Sequence, residues 1–321
     1  MMLFPQLPAT RPAHVIASMV LCLLVSACGT GIEVTEHVTD KDVRRVMGQI
    51  DTRQPDVTLE AYIDSLQAWK IGKRFWVADD KVTEMLADTE GYDKDTLHLT
   101  GHILTYRGYS KSGLFLDGDN RRIYIDFDDE QTGLSLHYRI KSRDENHDIS
   151  SLPMLIDMDM VNHVARQLVS KEFYIRTPIW YDRQTEHMMD GRRFIKVVID
   201  SVLPGNEVLP LRVLFTAVDS GERAMVWMSD NVSTMHGRDF DALFVANDPH
   251  LSYPAISDEN WRLITCGQIV VGMTKEECLL SLGTPKHIAE RPDQGGLKEY
   301  WYYDGGSYLY FVDGLLSQFR K

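Results

Sequence analysis

The chain has 321 residues, 44% of them apolar, which is enough material for two or three small domains with separate cores. Asp and Glu outnumber Lys and Arg by 47 to 34, a formal net charge of −13. That balance excludes a nucleic-acid partner, because phosphate contacts need Lys and Arg, and it opposes adsorption to an anionic membrane surface.

The N-terminus is a signal segment. Arg11 and His14 are the only potentially positive side chains before an apolar run from Val15 to Val25. The run is too short for a permanent span and suits the hydrophobic region of a signal peptide. It ends Val25-Ser26-Ala27-Cys28-Gly29, which resembles the lipobox of bacterial lipoproteins: an aliphatic residue, two small ones, then the acylated cysteine. The resemblance implies removal of residues 1–27 as a signal peptide and lipidation of Cys28 with diacylglycerol and palmitate-type chains. Several such chains anchor a protein essentially permanently. An ordinary secretory signal cut after Ala27, leaving a free thiol, is the alternative. Gly29, where an inner-membrane retention signal often has Asp, points to the outer membrane and the periplasm. Loss of the signal removes one basic residue, Arg11, and leaves 33 basic against 47 acidic residues, a net of −14.

Residues 28–55 are polar and charged and read as a tether. From Val57, Leu59, Tyr62, Ile63, Leu66 and Trp69 recur at helical spacing. Ile71 to Val77, Leu97 to Leu104, Ile123 to Phe127 and Leu134 to Tyr138 read as strands by β-branched content and alternation. Together they define a β-rich module over 56–140. A similar order returns over 153–230. Met158 to Val169 reads as a helix, Val169 to Ile175 matches the Ile71 segment at a shift of 98, and Leu211, Val213, Phe215 and Gly221 match Ile123, Ile125, Phe127 and Gly133 at a shift of 88. Two related modules, each a helix with a small antiparallel sheet or barrel, are the expectation. Ile140 to Leu152 reads as the link between them, and residues 231–256 as a connector broken by Asp248-Pro249 and Tyr253-Pro254.

In the last segment, 257–321, Thr274 and Glu277 form a capping box at a helix start. Gly283 supplies its left-handed end and Pro285 stops it. A hairpin follows, Tyr300 to Tyr303 and Tyr308 to Val312, turned at Asp304-Gly305-Gly306-Ser307. Gly272-Met273-Thr274-Lys275-Glu276-Glu277, Leu282-Gly283-Thr284-Pro285, Trp301-x-Tyr303, and Leu309-x-Phe311 with Gly314 resemble the SmpA/OmlA (BamE) lipoprotein family. The resemblance covers about one fifth of the chain and implies two helices packed on a three-stranded antiparallel sheet. It also implies an accessory, non-catalytic role beside proteins that insert β-barrels into the outer membrane. The fold class expected for the whole chain is therefore α+β.

Residues capable of chemistry yield little. His98 and His102 have a zinc-like spacing, but on a strand they would stand about 13 Å apart. Asp117-Gly118-Asp119-Asn120 starts like a calcium loop, yet Arg121 and Arg122 occupy positions that need an oxygen ligand and a glycine. Ser110 and Lys111 are adjacent and would face opposite ways on a strand. Asp126, Asp128, Asp129 and Glu130 read as a solvated strand end. No pattern calls for a cofactor, a metal or catalysis. Cys22 leaves with the signal, so only Cys266 and Cys278 remain free to pair. They could close a disulfide loop, or both could be small core residues. If Trp301, Tyr303, Leu309 and Phe311 pack on the helices, Tyr300, Tyr302, Tyr308 and Tyr310 face the other way, either as a partner surface or beneath the second module. A non-enzymatic binding or assembly protein of the envelope, with another envelope protein as partner, is the expected function. An envelope enzyme, or a small-molecule or glycan carrier whose site forms only in the fold, is the alternative.

Overall fold

The computed structural model describes residues 59–88, 92–112, 121–142, 149–230, 237–293 and 296–321. The signal segment, Cys28 and the tether lie outside these residues, as do 143–148 of the expected link and 231–236 of the connector. Among the described residues no helix is long and apolar enough to cross a membrane. The class is α+β, built on three antiparallel sheets.

The first sheet contains β1 (Arg74–Val77), β2 (Ile103–Ser112), β3 (Arg121–Asp129), β4 (Ser135–Ser142) and β5 (Leu155–Asp157), in the order β4-β3-β2-β1-β5. Alternation puts Phe75, Leu104, Tyr106, Ile125, Phe127, Leu136 and Tyr138 on one buried face. There the Phe127 ring meets those of Phe75, Tyr106 and Tyr138 edge-on.

The second sheet has β6 (Glu172–Ile175), β7 (Ile179–Tyr181), β8 (Met188–Asp190), β9 (Ile195–Pro204), β10 (Leu211–Ala217), β11 (Arg223–Met228) and β12 (Phe244–Val245), in the order β12-β6-β9-β10-β11-β7-β8. Helix α1 (Met158–Leu168) buries Met160, Val161, Val164 and Leu168 against it. Without β7 and β8, the strand order is that of the first sheet, and the pairing register is shared. Phe75 opposes Leu104 as Phe173 opposes Val197, Phe127 opposes Leu136 as Phe215 opposes Ala224, and Val77 opposes Leu155 as Ile175 opposes Phe244. Backbone bonds Gly72 N to Tyr106 O and Tyr106 N to Lys73 O recur as Ser170 N to Ile199 O and Ile199 N to Lys171 O. A bulge at Arg107 in β2 corresponds to one at Asp200 in β9. Gly133 and Gly221 close the two β-turns with the same 2.8 Å bond back to the strand end and with φ of 74° and 72°, a conformation natural to glycine. The shift between corresponding residues falls from 98 to 93 to 88 across the sheet, so two five-residue shortenings replace the single ten-residue change read from sequence.

Several local expectations need correction. The Val57–Trp69 helix is absent among the described residues: 59–65 carry no helix, and only a turn forms at 66–68. Its apolar residues serve two cores, Leu59 in the second and Leu66 and Trp69 in the first, while Ile63 is 82% exposed. The Asp64 carboxylate also accepts from the Ser65 N–H, a local bond that competes with helix formation. The Leu97–Leu104 strand begins only at Ile103, because Asp80 captures the N–H groups of Leu99 and Thr100 and folds that stretch into a turn. The boundaries at 140, 153 and 231 cut through the sheets. β5 closes the first sheet from within the expected second module, and β12 closes the second from within the expected connector.

Helix α2 (Phe240–Leu243) ends the second core with Phe240 and Leu243. The C-terminal segment comprises α3 (Asp258–Thr265), α4 (Lys275–Leu282) and the sheet β13 (His287–Asp293), β14 (Gly296–Tyr302), β15 (Tyr308–Val312) and β16 (Leu315–Arg320). It has four strands in sequential order, not three. The extra strand is an edge strand, where Pro292 can be tolerated and β-propensity is a poor guide. The capping box forms: Thr274 Oγ1 accepts from Glu277 N at 3.2 Å, and Glu277 Oε2 accepts from Thr274 N at 2.7 Å. Phe194, on the turn before β9, stacks on Trp261 of α3 and joins the second sheet to this domain.

Candidate binding surface

In the C-terminal sheet, alternation separates a core face from an open face. Trp301, Leu309 and Phe311 are buried, at 5%, 2% and 0% exposure, with Cys278, Leu279 and Met273 beneath them. Glu299 shares this face, where Lys275 pairs with it and Trp301 Nε1 donates to it at 3.2 Å. Tyr303 donates its hydroxyl to the Gly283 carbonyl at 3.0 Å, and burial, aided by nearby Cys278, raises that phenol's pKa far above the ordinary tyrosine value.

On the opposite face Tyr300 sits across from Tyr310, and Tyr302 across from Tyr308. The rings of Tyr300 and Tyr310 stack at 4.6 Å, Tyr302 follows Tyr300 at 6.5 Å, and His287 follows Tyr302 at 5.8 Å. The result is a row of four aromatic side chains, with Tyr300 and Tyr310 half-buried, and His287 and Tyr302 exposed, the latter at 42%. Sequence reasoning placed the tyrosines on the correct face but missed His287, whose strand it did not detect. Tyr308 has no ring partner in the row and instead lines a cleft at the sheet's end.

The cysteine pair is not bonded. Cys278 is fully buried, and burial, reinforced by Glu277, pushes its thiol up to about 12, which makes it an inert core group. Cys266 follows α3 and is exposed.

His98 and His102 lie in the turn before β2 and not on a strand, so the strand spacing expected for them does not apply. Each histidine turns Nδ1 to a different carboxylate, Asp80 at 3.0 Å and Asp129 at 2.9 Å. Asp126 faces His137 across β3 and β4 at 2.6 Å, but the solvated strand end expected here needs correction at Asp129, which is buried and accepts from His102 and the Thr132 hydroxyl. In the second sheet the position of His102 is taken by Ile195, that of Asp129 by Ala217, and those of Asp126 and His137 by Leu214 and Met225.

A buried cation also escaped sequence reasoning. Lys73 Nζ lies 2.9 Å from Asp64, 2.8 Å from Asp157 and 3.0 Å from Asp159, and it donates to the Tyr62 hydroxyl at 3.1 Å. Burial opposes its charge, but the hydrogen bonds it donates to Asp157, Asp64 and Tyr62 outweigh that penalty and hold it well above the ordinary lysine pKa. Burial raises Asp157 despite the pull of Lys73; burial opposes the ionised form of Asp64 too, but Lys73, the Ser65 N–H and the Tyr62 hydroxyl together hold it below the ordinary value. Lys171, equivalent by backbone, is exposed. The Lys73 ammonium therefore ties the entry segment to the β5–α1 junction. It is engaged on all sides and is no nucleophile.

No known family, curated protein or solved structure matches the chain.

Proposed function

We propose that this is a lipid-anchored protein of the bacterial envelope, held through Cys28 and facing the periplasm from the outer membrane, that acts as a non-enzymatic binding or assembly module. The row Tyr310, Tyr300, Tyr302 and His287 carries this reading. Aromatic side chains ordered by mutual stacking on an uncovered sheet face suit a protein interface, since they bring large contact area at low conformational cost. The SmpA/OmlA-like motif points to outer-membrane assembly as the setting. We further read the first two sheets as copies of one duplicated module, supported by their shared order, register, bulge and turn, which makes them a scaffold that carries the C-terminal domain away from its anchor.

The test is photo-crosslinking in membranes with a reactive side chain at Tyr302, compared with a Tyr300→Ser, Tyr310→Ser variant. One dominant envelope partner is expected, with capture reduced at least about tenfold in the variant, since interface aromatics contribute about 2 kcal/mol or more. The variant should still melt cooperatively. Undiminished capture would refute the face, and capture of small molecules or glycans instead of protein would favour the carrier reading.

A further inference from the structure

We infer that the end of the C-terminal sheet takes an extended acidic polypeptide segment that seats one large apolar side chain in a cleft beside the aromatic row. The inference rests on the binding-module reading and names the class of partner.

The cleft holds about 340 Å³, within the range of ligand-sized sites. Ile269, Leu282 and Leu309 form its apolar floor, and Tyr308, Arg320 and Lys321 stand at its rim. Tyr308 lies directly across from both Tyr302 and Arg320, so it joins the rim of the cleft to the row, while Leu309 of the floor belongs to the core side of the same sheet end. Arg320 is exposed and has no ion pair among the described residues, while Lys321 Nζ donates only to the Gly267 carbonyl at 2.7 Å.

Charge selects an acidic partner. The register places His287, Tyr302, Tyr308, Gln318 and Arg320 at the cleft end of the open face, with no carboxylate among them; the one acidic position of this face in β13, Asp293, pairs with Gly296 at the opposite end of the sheet.

The backbone selects a polypeptide. β16 is an edge strand, and its free side is occupied only near Leu316, by Gly272 N and Met273 O. Among the described residues nothing pairs along the outer side of 317–320. An incoming strand can complete those hydrogen bonds and a lipid tail cannot. The exposed side chain of Phe319 on this strand is apolar and offers no charge to repel such an addition.

The test is fluorescence anisotropy on the full detergent-solubilised chain with three dye-labelled peptides of one length: a central Phe flanked by Glu, the same with central Ala, and the Phe peptide flanked by Lys. The acidic Phe peptide should bind at least about tenfold tighter than either control. Arg320→Glu with Lys321→Glu should reverse the charge preference while leaving the melting curve in place. Equal binding of the Phe and Ala peptides, or no effect of charge reversal, would overturn the inference. Displacement of the peptide by phosphatidylglycerol vesicles, but not by neutral ones, would overturn it in favour of a lipid site. If charge reversal spares partner crosslinking while the Tyr300→Ser, Tyr310→Ser variant abolishes it, this inference fails and the binding-module reading stands. If both variants leave crosslinking intact, that reading fails too.

Discussion

Replacing Lys73 with Met keeps the aliphatic stem and removes the charge that three carboxylates share. The side chain is 3% exposed, and those of Asp157 and Asp64 are 15% and 19% exposed. Removing one partner of a buried ion pair costs about 3–5 kcal/mol, because the remaining charge stays desolvated. The Asp159 side chain is 57% exposed, so water screens its share and the lower end, about 3 kcal/mol, is the expectation. For a cooperative unit of two modules that corresponds to a Tm loss of about 6–12 °C. The cost also depends on pH, in a direction the shifts fix. In the wild type, Lys73 is raised, so its contribution is complete below the ordinary lysine pKa and fades only as pH rises through the raised value. Asp64 is lowered, so its contribution is present above its ordinary pKa and is lost as pH falls. In the variant both buried acids lose their counter-charge, and Asp157, already raised by burial, takes up a proton first. The gap between the two proteins should therefore be widest near neutral pH and narrow towards pH 4. Urea unfolding of the detergent-solubilised chain at several pH values, followed by tryptophan fluorescence, measures it. A neutral-pH difference within about 0.5 kcal/mol, the usual range for a surface substitution, would refute the assignment of Lys73 as a buried junction.

Gly191 sits with its Cα against the Trp180 ring, where an added Cβ would lie 2.2 Å from a ring carbon. Gly191→Ala should accordingly cost about 1–3 kcal/mol in thermal unfolding, and a neutral result would mean that Trp180 is not held there. Alkylation of the unreduced native protein should modify Cys266 within minutes and Cys278 only after unfolding; a disulfide-linked peptide pair would contradict both. Cys28→Ala should abolish labelling by a fatty-acid probe and leave the precursor uncleaved, whereas persistent labelling would eliminate the anchor.

The C-terminal domain and the matched segments of the two modules were legible in sequence because their information is local. Capping box Thr274/Glu277, the left-handed Gly283 and the alternation of Trp301, Leu309 and Phe311 with tyrosines each act within a turn or between neighbouring strands. The β1/β6 and β3/β10 matches depend on alternation alone, and the structure pairs those strands in the same register. What the sequence could not reveal depends on distant partners. Leu59 and Leu66 look like one helical face because nothing local says that they enter different cores. β5 and β12 are too short to announce themselves, and only the free edges of β1 and β6 make them strands. His287 reaches the aromatic row through cross-strand pairing with Tyr302, and the four groups around Lys73 come from up to 86 positions away. Periodicity records which side of an element is apolar. The identity of the surface it meets, and hence every polar cluster built between elements, is decided only when the sheets assemble.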